Sequence, residues 1–263
     1  MRRNLIISPI GDSSVHQTWI AGGGERTFDL LLIYYGNGDD WAKNDATHYV
    51  RRTGFKYEHL YFASEQLRDV LSGYDCFWLP DDDVALDPAA IDEMFALFRE
   101  YRLQLAQPSI ACGEATYRSL RQRPGTLLRY TPFVEVMCPL FTREALYRVR
   151  HTFLESRSSF GLDLVWPKYF APREMAILDR IGVNHTRRLN SGEHYQRLAA
   201  MGIDPNRECD ALLASHGGID WRQHKRLLKG RQRMAAIRDP ARPVSIWSKL
   251  VPRWTRVGER MAA

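Results

Sequence analysis

Little in this 263-residue chain would staple it or anchor it. Its four cysteines, Cys76, Cys112, Cys138 and Cys209, stand singly, with no CxxC pair and no metal-finger spacing. That argues against a zinc finger and for a reduced compartment. No apolar run approaches the roughly 20 residues of a membrane span. The run Leu5 to Ile10, behind Arg2 and Arg3, is too short for a signal-peptide core. A cytoplasmic protein is expected. Residues 1–220 hold no basic patch and no recognisable nucleic-acid module, so no nucleic-acid partner is expected.

What is present is an ordinary globular composition, 44% apolar and 26% charged, enough for a sizeable core of α/β type. The net charge of +6 is unevenly placed. Residues 221–263 carry twelve Lys and Arg against Asp239 and Glu259, a net +10, which leaves the body at −4. The pI of 9.2 therefore describes the tail more than the body.

The most informative stretch is Tyr74-Asp75-Cys76-Phe77-Trp78-Leu79-Pro80-Asp81-Asp82-Asp83-Val84, an apolar run that ends on three aspartates. A short buried strand that delivers Asp81 and Asp83 with one residue between them puts two carboxylates within reach of one hard cation. Three adjacent like charges raise one another's pKa unless something compensates them, and a divalent metal does so.

Around this run the pattern alternates. Leu5–Ile10 and Phe28–Tyr35 read as strands, followed by the loop Gly11-Asp12-Ser13-Ser14 and the turn Gly36-Asn37-Gly38-Asp39-Asp40. Phe55–Phe62 alternates like a third strand, and Ser64 reads as the N-cap of a short helix carrying Leu67, Val70 and Leu71. Asp87-Pro88 starts a helix with Ile91, Phe95 and Phe98 at helical spacing. Leu103–Ile110 is a further apolar run and Phe133–Phe141 a strand-like one, and Thr142 caps a helix with Glu144 in its first turn. Strands alternating with helices predict a mostly parallel sheet covered on both faces. Ligands of such sheets sit beyond the carboxyl ends of the strands, where the first loop, the Asp39 turn and Asp81–Asp83 would gather.

Two later residues join the candidates. Asp163 follows Gly161-Leu162 at the start of an apolar helix, as a helix cap or as a base. His185 closes the run Ala176–His185, as a metal ligand or a surface residue.

Ordered blocks now carry a resemblance: Gly38-Asp39-Asp40-Trp41, Phe55-Lys56-Tyr57, Trp78-Leu79-Pro80-Asp81-Asp82-Asp83, the stretch from Phe133 through Glu135 to Arg143, Gly161-Leu162-Asp163, and the spacing from Asp179 to His185. Over roughly residues 27 to 190 the chain resembles the glycosyltransferase-like family catalogued as domain of unknown function 707. The resemblance implies a GT-A-like (Rossmann-like) fold for residues 1–220 and a nucleotide-diphosphate-sugar donor, UDP- or GDP-linked. It implies Mn2+ or Mg2+ held by Asp83, by Asp81 directly, through water or as a ribose contact instead, and by His185 as a late ligand. Asp163 is then the first choice for the base that deprotonates the acceptor hydroxyl, and Glu135 the second. Positions for the donor are Asp12, Tyr35 for stacking, Asp39 for base or ribose, Lys56 for phosphate, Asp82, and Arg187 with Arg188 as a diphosphate clamp.

In the tail, Ile246, Trp247, Leu250, Val251 and Trp254 share one helical face among Lys and Arg, with Pro252 as a kink. That face suits the anionic inner surface of a membrane, where lipid-linked acceptors are found. Two rival classes share some of these features. A haloacid-dehalogenase-like phosphatase also ends a strand on Asp-x-Asp, but its motif belongs near the start of the fold. The other rival is a non-catalytic carbohydrate-binding protein.

Overall fold

The computed structural model describes residues 3–189, 191, 193–218, 220 and 235–242. Among these the strands are β1 (Asn4–Ile10), β2 (Phe28–Tyr34), β3 (His48–Arg51), β4 (Cys76–Trp78), β5 (Val84–Ala85), β6 (Leu105–Cys112), β7 (Thr126–Tyr130), β8 (Leu140–Thr142), β9 (Met175–His185) and β10 (Ala236–Arg238). The α-helices are α1 (Lys56–Gln66), α2 (Arg68–Ser72), α3 (Pro88–Glu100), α4 (Arg143–Val149), α5 (Leu162–Val165), α6 (Glu193–Ala200) and α7 (Pro205–Ser215).

The strands form one sheet in the order β10-β7-β9-β6-β8-β4-β1-β2-β3, with β5 paired to β9. Pairing directions make β1, β2, β3, β4, β6, β9 and β10 run one way, and β5, β7 and β8 against them. β1 is buried along its whole length, as expected of a central parallel strand. Its side chains divide by period two: Ile6 and Ile10 enter one core with α3, Leu5 and Ile7 the other with α1 and α4.

The capping signals act as the sequence predicts. Asp87 accepts from the Ala90 amide at 2.9 Å behind Pro88, and Thr142 accepts from Ala145 at 3.1 Å. Three expectations fail. Phe55–Phe62 is not a strand: α1 runs through it, because Tyr57, Leu60 and Ala63 recur at helical spacing and are buried together. Glu58 also reaches back to the Phe55 amide at 3.1 Å. Ser64 therefore caps nothing; it lies inside α1 with its hydroxyl donating to the Tyr61 carbonyl. Of Phe133–Phe141 only the end is strand, β8, and the rest is a buried loop. Its carbonyls at Val136 and Met137 are taken by side chains and by the Asp81 amide rather than by a neighbouring strand.

The membrane-facing helix read from Ile246 to Trp254 lies outside the described residues. Within the basic segment, β10 adds to the sheet beside β7, and Asp239 pairs with Arg180, so that portion is built into the body. Among the described residues no helix is long and apolar enough to cross a membrane.

Candidate active site

The candidate residues gather at the carboxyl ends of same-direction strands: Gly11 and Asp12 after β1, Tyr35 after β2, Asp81–Asp83 after β4 and His185 at the end of β9. One cleft of about 810 Å³ opens there. Asp12, Tyr35, Lys56, Asp81, Asp82, Asp83, Glu135, Asp163, His185 and Arg187 all line it. Asp39 does not: it stands fully exposed on the turn, 3.8 Å from Arg51.

The three aspartates have different partners. Asp81 is held by Lys56, whose ammonium donates to Asp81 Oδ1 at 2.6 Å and to the carbonyls of Val136 and Met137 at 2.7 and 2.8 Å. All three ammonium protons are thus used within the chain. Lys56, expected at phosphate, is a staple between Asp81 and the 133–139 loop.

Asp82 is clamped from three sides. Its Oδ2 accepts from the Gly11 amide at 2.9 Å and the Tyr35 hydroxyl at 3.2 Å, and its Oδ1 from Arg187 at 2.7 Å. Arg187 continues to the Ser13 carbonyl and hydroxyl. Asp82 and Arg187 therefore tie the first loop to the segment after β9.

Asp83 and His185 form a buried pair, Oδ2 to Nε2 at 3.4 Å. His185 Nδ1 donates to the Glu114 carbonyl at 3.0 Å, which aims Nε2 at Asp83. Gly113 makes this approach possible: its φ is +79°, and a Cβ there would lie 1.9 Å from the His185 carbonyl oxygen. Asp83 Oδ1 is buried with no hydrogen-bond partner among the described residues.

Electrostatics follow these contacts. Burial, with Asp83 adding to it and Lys56 opposing, pushes the Asp81 carboxyl up to about 6. Burial also acts on Asp83, but the His185 hydrogen bond and charge outweigh it and hold that carboxyl low. The same hydrogen bond takes His185 up to about 9. Burial takes Glu135 up to about 7, and burial with the Glu135 charge takes Asp163 up to about 8. Asp12, on the rim, is held low by the Tyr34 hydroxyl and the Asn37 amide.

Asp163 sits in the first turn of α5 behind Gly161, whose φ of +91° starts that helix. The cleft wall includes residues the sequence did not single out: Tyr117, Phe160, His194 and Tyr195. They come from a connecting segment, the turn before α5 and α6, and nothing in their local sequence marks them as site residues.

No family model matches the chain, and neither does any curated protein. Solved structures do. The chain is similar to S. aureus TarS 1-349 in complex with UDP-GlcNAc, at 14% identity and a TM-score of 0.52, covering 88% of this chain and 76% of that one. It is also similar to a longer S. aureus TarS chain, at 12% identity and a TM-score of 0.46, covering 87% of this chain and 44% of that one, so it spans less than half of that length. A third similar structure is glucosyl-3-phosphoglycerate synthase from Mycobacterium tuberculosis with Mn2+, UDP and glucosyl-3-phosphoglycerate, at 15% identity and a TM-score of 0.48, covering 83% and 81%. At 14% identity the property shared with TarS 1-349 is the fold, the GT-A-like α/β architecture expected from the sequence.

Proposed function

We propose that the chain is a metal-dependent glycosyltransferase that moves a sugar from a nucleotide-diphosphate donor to a glycan, lipid-linked or other hydroxyl acceptor, in polysaccharide or surface glycan synthesis. The observation that carries this reading is the convergence of Asp83, His185, Glu135 and Asp163 on one cleft at the strand ends. The UDP-GlcNAc held by TarS 1-349 favours a uridine donor.

The cation of such a reaction fits Asp83 and His185. Asp83 Oδ1 is buried and unpartnered, and Nε2 of His185 faces the same carboxylate. Among the described residues no three His, Cys, Asp or Glu side chains converge as a metal cluster. A two-residue site completed by diphosphate oxygens and water suits Mn2+ or Mg2+. Bound there, the ion would supply charge compensation for the departing diphosphate. The chain does the rest. Lys56 fixes Asp81 at the ribose side, Asp82 and Arg187 hold the first loop against the donor, and Tyr35 offers a ring beside Gly11. Asp163 takes the acceptor proton, which favours inversion.

A panel of UDP- and GDP-sugars with Mn2+ or Mg2+ tests the reading. At least one should be hydrolysed or transferred, and EDTA should abolish the reaction. A phosphatase would instead release phosphate from p-nitrophenyl phosphate and ignore the sugar, which would sink the proposal.

Peripheral membrane contact through the basic tail is part of the proposal. Removing residues 243–263, beyond β10, should release the protein from anionic liposomes; unchanged binding would refute that part.

A further inference from the structure

We propose that Glu135, with Asp163 beside it, binds an ammonium group on the acceptor, so that the cleft takes an amino sugar or amino alcohol rather than a neutral polyol. The inference rests on the glycosyltransferase reading, because it concerns the acceptor of that reaction.

Glu135 is 6% exposed, lines the cleft, and has one carboxylate oxygen, Oε2, with no hydrogen-bond partner among the described residues. Its other side-chain hydrogen bond comes from Thr116 on the cleft rim. Asp163 is its neighbour across one residue of loop, because the amide of Val136 donates to the Asp163 carboxylate. Two carboxylates, Glu135 buried and Asp163 half-buried, thus face the same space, and withdrawing such a pair from water without a compensating partner is costly.

Of the cations that line the cleft, Lys56, His185, Arg187 and Arg197 are committed elsewhere, and Arg188 is exposed. Lys56 spends its three protons on Asp81, Val136 and Met137. His185 faces Asp83 and Glu114, and Arg187 holds Asp82 and Ser13. Arg197 donates to the Gly54 carbonyl and lies over the Phe55 ring, 5.0 Å from its centre. A ligand ammonium supplies what these leave unmet: positive charge, and a proton for Oε2. A neutral hydroxyl satisfies the hydrogen bond but brings no positive charge to the pair. Tyr117 and Tyr195, whose own hydroxyls feel the Glu135 charge, flank the space with aromatic surface suited to a sugar ring or a cation. The ammonium is an anchor here, and the nucleophile remains a hydroxyl of the same molecule, presented to Asp163.

The test uses the full chain loaded with Mn2+ and UDP. Calorimetry compares methyl glucoside with its 2-amino and 6-amino derivatives and their N-acetyl counterparts. One amine should bind about tenfold or more tightly than its N-acetyl partner, the size of one charge-assisted hydrogen bond. E135Q should bring that ratio to within about twofold. Equal binding of amine and N-acetyl probes by the parent, or a preference that survives E135Q, overturns the inference. Binding of Mn2+ and UDP is measured first on the parent. Its failure would fall on the donor reading, whereas its success without an amine preference would fall on this inference.

Discussion

Asp163→Asn should abolish transfer while leaving donor binding nearly intact, with a loss of about 10²–10⁴ in turnover, the usual contribution of a positioned general base. The same change should stabilise the protein. Burial and the Glu135 charge take the Asp163 carboxyl up to about 8. An acid whose folded pKa lies above its unfolded value binds its proton more tightly in the native state, so its effect on stability worsens as pH rises from the unfolded range near about 4 to the folded value. Asn carries no proton to lose. The variant should therefore be more stable than the parent by about 0.5–2 kcal/mol at alkaline pH, with the gap closing toward acid. Transfer by the parent should rise through neutral pH toward about 8 as this carboxyl ionises. Thermal melts and pH–rate profiles of the two proteins check both halves. An active Asn variant eliminates Asp163 as the base.

Asp179→Ala should cost about 3–5 kcal/mol, against a total stability of about 5–15 kcal/mol for a domain. Arg129 and Asp179 are both buried, with Arg129 Nη2 donating to Asp179 Oδ1 at 2.9 Å and further donations to the carbonyls of Ser119 and Arg121. Burial keeps the Asp179 carboxyl above its ordinary value even with Arg129 against it, so the pair is no large source of stability in itself. What destabilises is removing one half: the guanidinium stays in the core without its counter-charge, and the Arg123 amide loses its acceptor. Because β9 also carries His185, the site should loosen with it. Denaturant titration should show the loss, and Arg129→Met with Asp179→Leu should recover much of it. A single variant as stable as the parent would contradict this account of the pair.

Much of this was legible in the sequence because the signals were local. Asp87-Pro88 and Thr142 state helix starts through their own side chains, and the predominantly apolar runs of β1 and β2 state buried parallel strands. Asp81–Asp83 were legible as a strand-end cluster for the same reason. The division of labour among them was not, since it is decided by residues distant in sequence: Lys56 on Asp81, Gly11, Tyr35 and Arg187 on Asp82, and His185 on Asp83. Phe55–Phe62 misled because Phe55, Tyr57, His59 and Tyr61 follow a loose alternation, while Tyr57, Leu60 and Ala63 form a helical stripe. The Glu58 side chain and the α1 packing face settle the choice only in three dimensions. The loop at 133–139 misled because its apolar side chains look like a strand, while Lys56 and the Asp81 amide, distant in sequence, satisfy its carbonyls without strand pairing. Aspartates expected in similar donor roles also part company: Asp12 lines the cleft, while Asp39 faces solvent and Arg51.

The central claim is that Asp83, with His185, holds a divalent ion against a nucleotide-sugar diphosphate. The most direct test is calorimetry of UDP-sugar binding with and without Mn2+, on the parent and on Asp83→Ala. The account predicts that the parent binds a UDP- or GDP-sugar in a Mn2+-dependent manner and that Asp83→Ala loses about tenfold or more in affinity. Binding by Asp83→Ala equal to the parent, or no nucleotide-sugar binding by the parent with Mn2+ present, would contradict it.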